Sequence, residues 1–263
     1  MKLGCCTSLW EDQILELPGA GADYAEVSFS SLQDKTLEEA KARASQLKEA
    51  GVTVEAMNVF FPGSLRLTGP EVDFTQVDRY LEENLPKAAA FGTKIVVFGS
   101  GGSRRVPDGF PMEEAFSQLV TLCRDHIAPA VAAYGITCCV EPLNRRECNI
   151  LNTSVEGFRL VEAVGHPNFQ LLVDLYHFDL EQEDLSSISG YEGKLGHTHI
   201  ASAKNERLIP LPGDGETYPA FFQALKDIGY QGRMSLEGSM PGGISQIATS
   251  LAYLRELAQK AGL

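Results

Sequence analysis

Apolar positions recur along the chain in two rhythms. Short runs of small or branched apolar residues alternate with longer stretches in which apolar positions return every three or four residues. The first rhythm belongs to strands and the second to amphipathic helices. Strand-like runs fall at residues 2–9 (KLGCCTSL), 24–29 (YAEVSF), 52–60 (VTVEAMNVF), 94–101 (KIVVFGSG), 137–143 (TCCVEPL), 169–178 (FQLLVDLYHF), 195–202 (LGHTHIAS) and 232–238 (GRMSLEG). Helical patterns lie between them. One is capped by Thr36 and closed by Gly51, and a second covers FTQVDRYLEENLPKAAAFG. A third runs from about Met112 to Tyr134, a fourth is SVEGFRLVEAVG, and a last one reaches Ala261. Glycines at 51, 92, 135, 165 and 229 stand just before the next strand, where a helix needs a residue that tolerates a left-handed backbone.

Eight such units in 263 residues match the size of a (β/α)8 TIM barrel, an α/β fold in a single domain over residues 1–263. A doubly wound open sheet is the other candidate, but no GxGxxG follows the first strand. Three connections are longer than the rest, near 60–72, 99–111 and 202–216, and all follow strands. In a barrel they would ring the C-terminal face, where such folds carry their chemistry.

Composition narrows the function. The chain is 44% hydrophobic and carries 22 basic against 35 acidic residues, a net charge of −13. That balance repels a phosphate backbone, so a nucleic-acid partner is not expected. No run of about 18 apolar residues predicts a membrane span. The start, MKLGCCTSLW, lacks the apolar core of a signal peptide. The six cysteines form no CxxC; Cys5–Cys6 and Cys138–Cys139 read as small core hydrophobes on strands, and a reducing cytoplasm fits.

The chemistry gathers at four consecutive strand ends. The fifth strand ends in Glu141, the sixth carries Asp174, the seventh His199 and the eighth Glu237. Period-two alternation puts Cys139 with Glu141, Leu172 with Asp174, His197 with His199 and Ser235 with Glu237 on one face each. A carboxylate such as Glu141 at the mouth of a core is costly unless a positive group sits beside it. Three carboxylates and one imidazole at the same rim would form a hard, oxygen-rich site for one divalent ion, Mn²⁺, Mg²⁺ or Co²⁺ before a thiolate-seeking one. The SGGSRRVPDG stretch at 100–109 is Gly-rich and basic, and could cradle a phosphate through backbone N–H groups and Arg104 or Arg105. Trp10 and the Phe60–Phe61 pair lie near strand ends, as sugar-facing walls or as packing.

The motifs VEPLNRRECNILNT, VDLYHF, GHTHIAS, NERLIPLPGDG and SLEG resemble the xylose isomerase-like sugar isomerase/epimerase superfamily. Within it they are most similar to ketose 3-epimerases of the D-tagatose/D-psicose type. The resemblance implies a TIM barrel with one divalent ion, most often Mn²⁺, with Co²⁺, Mg²⁺ or Zn²⁺ as alternatives. It implies Glu141, Asp174, His199 and Glu237 as ligands, and Glu141 and Glu237 as the catalytic acid–base pair. Glu147, His177 and Arg207 would contact a sugar or sugar-phosphate substrate. From the residues alone, Glu147 could instead pair with Arg145 or Arg146, His177 could cap or support, and Arg207 could be a solvated loop charge. His197 shares the face of His199, as support or as an alternative ligand. The resemblance also implies a homodimer or homotetramer.

Other reactions on this fold are inosose dehydration and hydroxypyruvate isomerisation. Members of the second family typically lose the histidine at the place of His199. A DNA-repair endonuclease of the apurinic-site type would need more histidines than the five present here.

Overall fold

A computed structural model describes all residues, Met1–Leu263. Its centre is a closed barrel of eight parallel strands in chain order, with the first paired to the last. The order is β1 (Lys2–Thr7), β2 (Tyr24–Ser28), α1 (Leu37–Glu49), β3 (Val54–Asn58), α2 (Phe74–Ala90), β4 (Ile95–Phe98), the short α3 (Gly101–Arg104) and α4 (Met112–Thr121). Then come α5 (Ala128–Ala132), β5 (Thr137–Val140), α6 (Ser154–Val164), β6 (Phe169–Asp174), α7 (Leu175–Leu180), β7 (Leu195–Ile200), α8 (Tyr218–Asp227), β8 (Arg233–Leu236) and α9 (Gly243–Ala261). The fold is the expected (β/α)8 barrel. No helix is long and apolar enough to cross a membrane.

Local chemistry explains the element ends. Thr36 caps α1 through a reciprocal box: its side chain accepts from Glu39 N–H, and the Glu39 carboxylate accepts from Thr36 N–H at 2.7 Å. Gly51, at φ +78°, lets the chain leave that helix in the left-handed region. Between α4 and α5 the expected single helix winds as a π turn over Leu122–Ile127. Ala128 N–H closes it by bonding back to the Cys123 carbonyl five residues earlier, and Pro129 beyond has no N–H to continue the pattern.

The largest departure from the sequence expectation is at VDLYHF. The strand stops at Asp174 and the next residues are helical. Asp174 itself ends the strand, because its Oδ1 accepts from Tyr176 N–H at 3.0 Å and caps the new helix. His177 therefore sits on the first turn of α7, not on a strand. The fourth run is also shorter than expected, since β4 ends at Phe98 and the chain turns helical at Gly101.

Two apolar cores lie on either side of the barrel wall. The larger one fills the space between strands and helices. The smaller comprises Tyr24, Ala56, Ile95, Val97, Cys139 and Leu172, one face of five neighbouring strands, and fills the lumen. Counting two residues onward from these lumen positions leads to Glu26, Asn58, Gly99, Glu141 and Asp174. The lumen is thus layered, apolar below and polar at the C-terminal mouth.

Candidate metal centre and substrate cavity

Three of the four sequence-selected donors stand at the last residue of a strand or directly after it, and His199 lies one residue inside the end of β7. Each takes a lumen-facing position. One ligand atom from each of Glu141, Asp174, His199 and Glu237 can be chosen so that all lie within 4.8 Å of one another. His199 Nδ1 is 3.2 Å from Glu141 Oε1 and 3.5 Å from Glu237 Oε2. The structure brings together all four residues that the rim pattern selected.

Electrostatics show what this cluster wants. Burial, and then the neighbouring Glu237, push the Glu141 carboxyl above the usual range. Burial, Glu237 and Glu141 push Asp174 further up. For His199, burial opposes the charged ring, but Glu26 and Glu237 outweigh it and raise its value. Asp174 Oδ2 is buried without a hydrogen-bond partner. Three acids confined to one point repel each other, Arg207, with Nη2 3.6 Å from Asp174 Oδ2, offsets only part of that charge, and the same buried oxygen has no hydrogen bond. A divalent cation relieves both conditions, and a set of three carboxylates and one imidazole suits a hard or borderline ion. The residues present fit such an ion.

Glu141 can approach this point because of Gly99. A Cβ built at residue 99 would stand 2.2 Å from Glu141 Oε2. No side chain fits there while the carboxylate keeps its place.

Beside the donors lies a cavity of about 310 Å³, lined among others by Asn58, Val59, Ser100, Glu147, His177 and Arg207. All three sequence-selected substrate contacts are therefore at the same mouth. Arg207 reaches it despite its long loop: Nη2 is 2.6 Å from Glu237 Oε2 and Nη1 is 3.4 Å from Glu147 Oε1, with the guanidinium over the Tyr176 ring. Arg207 is thus held in the cluster and is not a solvated loop charge. Glu147 pairs with Arg207, while Arg145 pairs with Glu181.

His177 is buried, and its tautomer follows from Asn144. That residue donates its backbone N–H at 3.3 Å and its side-chain amide at 2.7 Å to His177 Nδ1. Nδ1 must then accept, so the proton sits on Nε2. Nε2 has no hydrogen-bond partner and lies 3.5 Å from Asp174 Oδ2. Burial, and then Arg207, lower the His177 value to about 3, so the ring is a neutral N–H donor at the cavity wall.

Several sequence readings change here. Arg104 is not available to cradle a phosphate. It is fully buried, and its guanidinium donates to the carbonyls of Phe98 at 2.8 Å and Glu141 at 2.7 Å, tying the ends of β4 and β5 together. Arg105 is exposed and donates to the Glu147 carbonyl. Trp10 donates to the Ser31 carbonyl and is absent from the cavity wall. Phe60 and Phe61 pack with Phe29, Tyr80 and Phe98, and only Phe61 touches the cavity. The exposed apolar residue at the mouth is Val59, 46% exposed at φ +47°, a backbone region that branched residues rarely adopt.

Two residues that sequence reasoning missed are Asn144 and Glu26. Asn144 carried no signal beyond standing in a polar run. Glu26 did: an acid in the middle of YAEVSF, a strand otherwise apolar or small, demands a buried partner. A larger recess, about 780 Å³, opens at the other end of the barrel, but its Lys2 and Arg233 are paired with Glu55 and no donor cluster lies there.

Comparison with known proteins places this geometry. The family described as xylose isomerase-like TIM barrel matches residues 16–257. An L-ribulose 3-epimerase of Methylomonas sp. is 34% identical over 113 residues, 42% of this chain and 38% of that protein. A D-psicose 3-epimerase of Ruminiclostridium cellulolyticum is 32% identical over 113 residues, 42% of this chain and 37% of that protein. The matched stretch thus spans little more than a third of either relative. A crystal structure of a D-psicose 3-epimerase in the presence of D-fructose superimposes with a TM-score of 0.83 at 21% identity, covering 98% of this chain and 99% of the other. That last likeness concerns the fold.

Proposed function

The chain belongs to the xylose isomerase-like TIM barrel family, and on that premise we propose that it is an enzyme, a metal-dependent ketose 3-epimerase acting on a free or phosphorylated sugar. The observation that carries the reading is the convergence of Glu141, Asp174, His199 and Glu237 at one point, beside a cavity that also holds Glu147, His177 and Arg207. The similarity to the two 3-epimerases supports the choice of reaction.

Glu141, Asp174, His199 and Glu237 would hold one divalent ion, Mn²⁺ first, with Co²⁺, Mg²⁺ and Zn²⁺ as alternatives. When bound, the ion would polarise the substrate's carbonyl and so acidify the neighbouring C–H at carbon 3. The remaining work belongs to side chains. One of Glu141 and Glu237 takes the proton from carbon 3, and the C–H electron pair becomes the double bond of an enediolate. The other, carrying a proton at the outset, gives it to the opposite face of the same carbon and is left ionised. β5 and β8 lie three strands apart in the ring, so the two carboxylates can address opposite faces. Each such transfer is worth about 10²–10⁴-fold. His177 Nε2–H and the Arg207 guanidinium donate to the oxygens on which charge develops. Glu147, already 3.4 Å from Arg207, accepts from a sugar hydroxyl.

The test is exchange in D₂O. The protein is stripped with chelator, given back Mn²⁺, Co²⁺, Mg²⁺ or Zn²⁺, and incubated with free and phosphorylated ketoses and an inosose while NMR follows carbon-bound deuterium. Metal-dependent exchange at carbon 3 with a new epimer is expected. Exchange at carbon 1 or 2 would mean aldose–ketose isomerisation, and loss of a hydroxyl would mean dehydration. No exchange under any condition would overturn the reading.

A further inference from the structure

Below the four donors the lumen holds a second polar layer that the reaction does not use. Glu26, on β2, is completely buried and reaches across the barrel to β7 and β8. Its Oε1 is 2.9 Å from His199 Nε2. Its Oε2 is 2.8 Å from His197 Nε2 and accepts from Ser235 Oγ at 2.6 Å. Tyr24 OH is 2.7 Å from Ser235 Oγ and completes the chain. His197, His199 and Ser235 are also fully buried.

This arrangement is costly, which makes it informative. A carboxylate removed from water is tolerated only when its oxygens are paired. The rest of the lumen below is filled by Ala56, Ile95, Val97, Cys139 and Leu172, so filling space here needs no charge. What a carboxylate does that an apolar residue cannot is accept. An ionised carboxylate has no proton to give, so both imidazoles must present Nε2–H to it. His199 then has one ring nitrogen left, Nδ1, and this is the atom that faces Glu141 and Glu237, which hold a proton there until a cation would take its place.

We propose that Glu26 is a positioning residue of the metal centre: by taking the Nε2–H of His199 it selects the tautomer whose Nδ1 lone pair faces the donor cluster and fixes the ring's orientation there. His197 and Ser235, both on Oε2, hold the carboxylate so that Oε1 remains directed at His199. The proposal rests on the metal-site reading above. Carboxylate partners of ligating histidines also raise ligand basicity, and their loss typically weakens metal binding 10–100-fold.

The test reads metal affinity, not turnover. Mn²⁺ and Co²⁺ dissociation constants are measured by chelator competition for wild type, Glu26→Gln, Glu26→Leu and Ser235→Ala. The visible spectrum of the Co²⁺ form and the urea midpoint of the metal-free form are recorded for each. Both Glu26 variants should bind Co²⁺ about 10–100-fold more weakly with a changed spectrum. Ser235→Ala, which leaves Oε1 untouched, should change affinity less than about 3-fold. Glu26→Gln keeps the shape and one acceptor oxygen but turns an N–H toward a donor, so its metal-free urea midpoint should fall, yet by less than that of Glu26→Leu, and it decides the matter if Glu26→Leu does not fold. An unaltered affinity and spectrum in Glu26→Gln would overturn the proposal, as would an equal loss in Ser235→Ala, which would indicate general loosening of the lumen. A wild-type protein that binds no divalent cation would overturn the metal-site reading itself, a different result from a wild type that binds and variants that match it.

Discussion

The two halves of the barrel do different work. Strands β5 to β8 contribute the four donors, one each from Glu141, Asp174, His199 and Glu237. Strands β1 to β4 contribute no ligand to that set. They supply Gly99, which leaves room for the Glu141 carboxylate, Asn58, whose amide approaches Glu237 Oε1 at 3.4 Å, Val59 at the cavity mouth, and Glu26 behind His199. On the proposed function, the contrast separates groups that would react from groups that would place them. Reactive groups must be of particular chemical types and so stand out in a sequence. Placing groups need only the right shape or a single hydrogen bond, and many residue types could supply either.

Substitutions in the two halves can break or sharpen that division. The largest effect is expected in the donor half. Glu237→Gln should lower kcat by about 10²–10⁴-fold in the metal-reloaded enzyme, read as the rate of solvent deuterium entry. Gly99→Ala tests the placing half. Its added methyl would collide with Glu141 Oε2, and a displacement of roughly 1 Å at such a group costs about 10²-fold in kcat/KM. A loss as large as that of Glu237→Gln, with a matching loss of bound metal, would erase the division. No loss would mean that Glu141 finds another path to the site.

Val59 should give a smaller and opposite-signed pair of effects. A branched residue held at φ +47° carries about 1–3 kcal/mol of strain, part of which glycine's greater freedom in the unfolded chain offsets. Val59→Gly and Val59→Asn should both raise the melting temperature, while loss of the apolar wall raises KM several-fold. A Val59→Asn variant with raised stability and unchanged KM would mean that Val59 does not wall the substrate. The smallest effect is expected on α7, away from the donors. Burial, then Glu216, raise the Asp179 carboxyl from 3.8 to about 6. Its folded value lies above its unfolded one, so the folded protein holds the proton longer and loses stability as pH rises from about 4 to 6. The melting temperature of Asp179→Asn minus that of wild type should therefore grow across that window. A constant difference would mean that Asp179 titrates normally.

How much of the site could be read in advance depended on the range of the interaction. The donor set was legible because ligand-type residues stood at four successive strand ends with a two-residue period. The end of β6 was not, because an apolar run continuing through Leu175, Tyr176 and Phe178 looks the same in a strand and in a helix; the Asp174 cap, a hydrogen bond two residues away, decides it. Arg104 looked available for an anion because it is charged and beside glycines. Its burial depends on the Glu141 carbonyl, 37 residues further along the chain. Glu26 could be flagged as a costly acid in a strand, but its partners are 171 and 173 residues distant.

By itself the chain determined its alternation of strands and helices, the caps that bound several of them, and which residue types stand at the strand ends. These follow from side-chain periodicity and hydrogen bonds between near neighbours. Only the tertiary structure decided which of those residues meet. Closing β1 against β8 sets the register of every strand around the ring. That register carries Glu26 under His199, opens space at Gly99, and brings Arg207 to Glu237. Such contacts depend on the geometry of the closed barrel, which no local stretch of sequence contains.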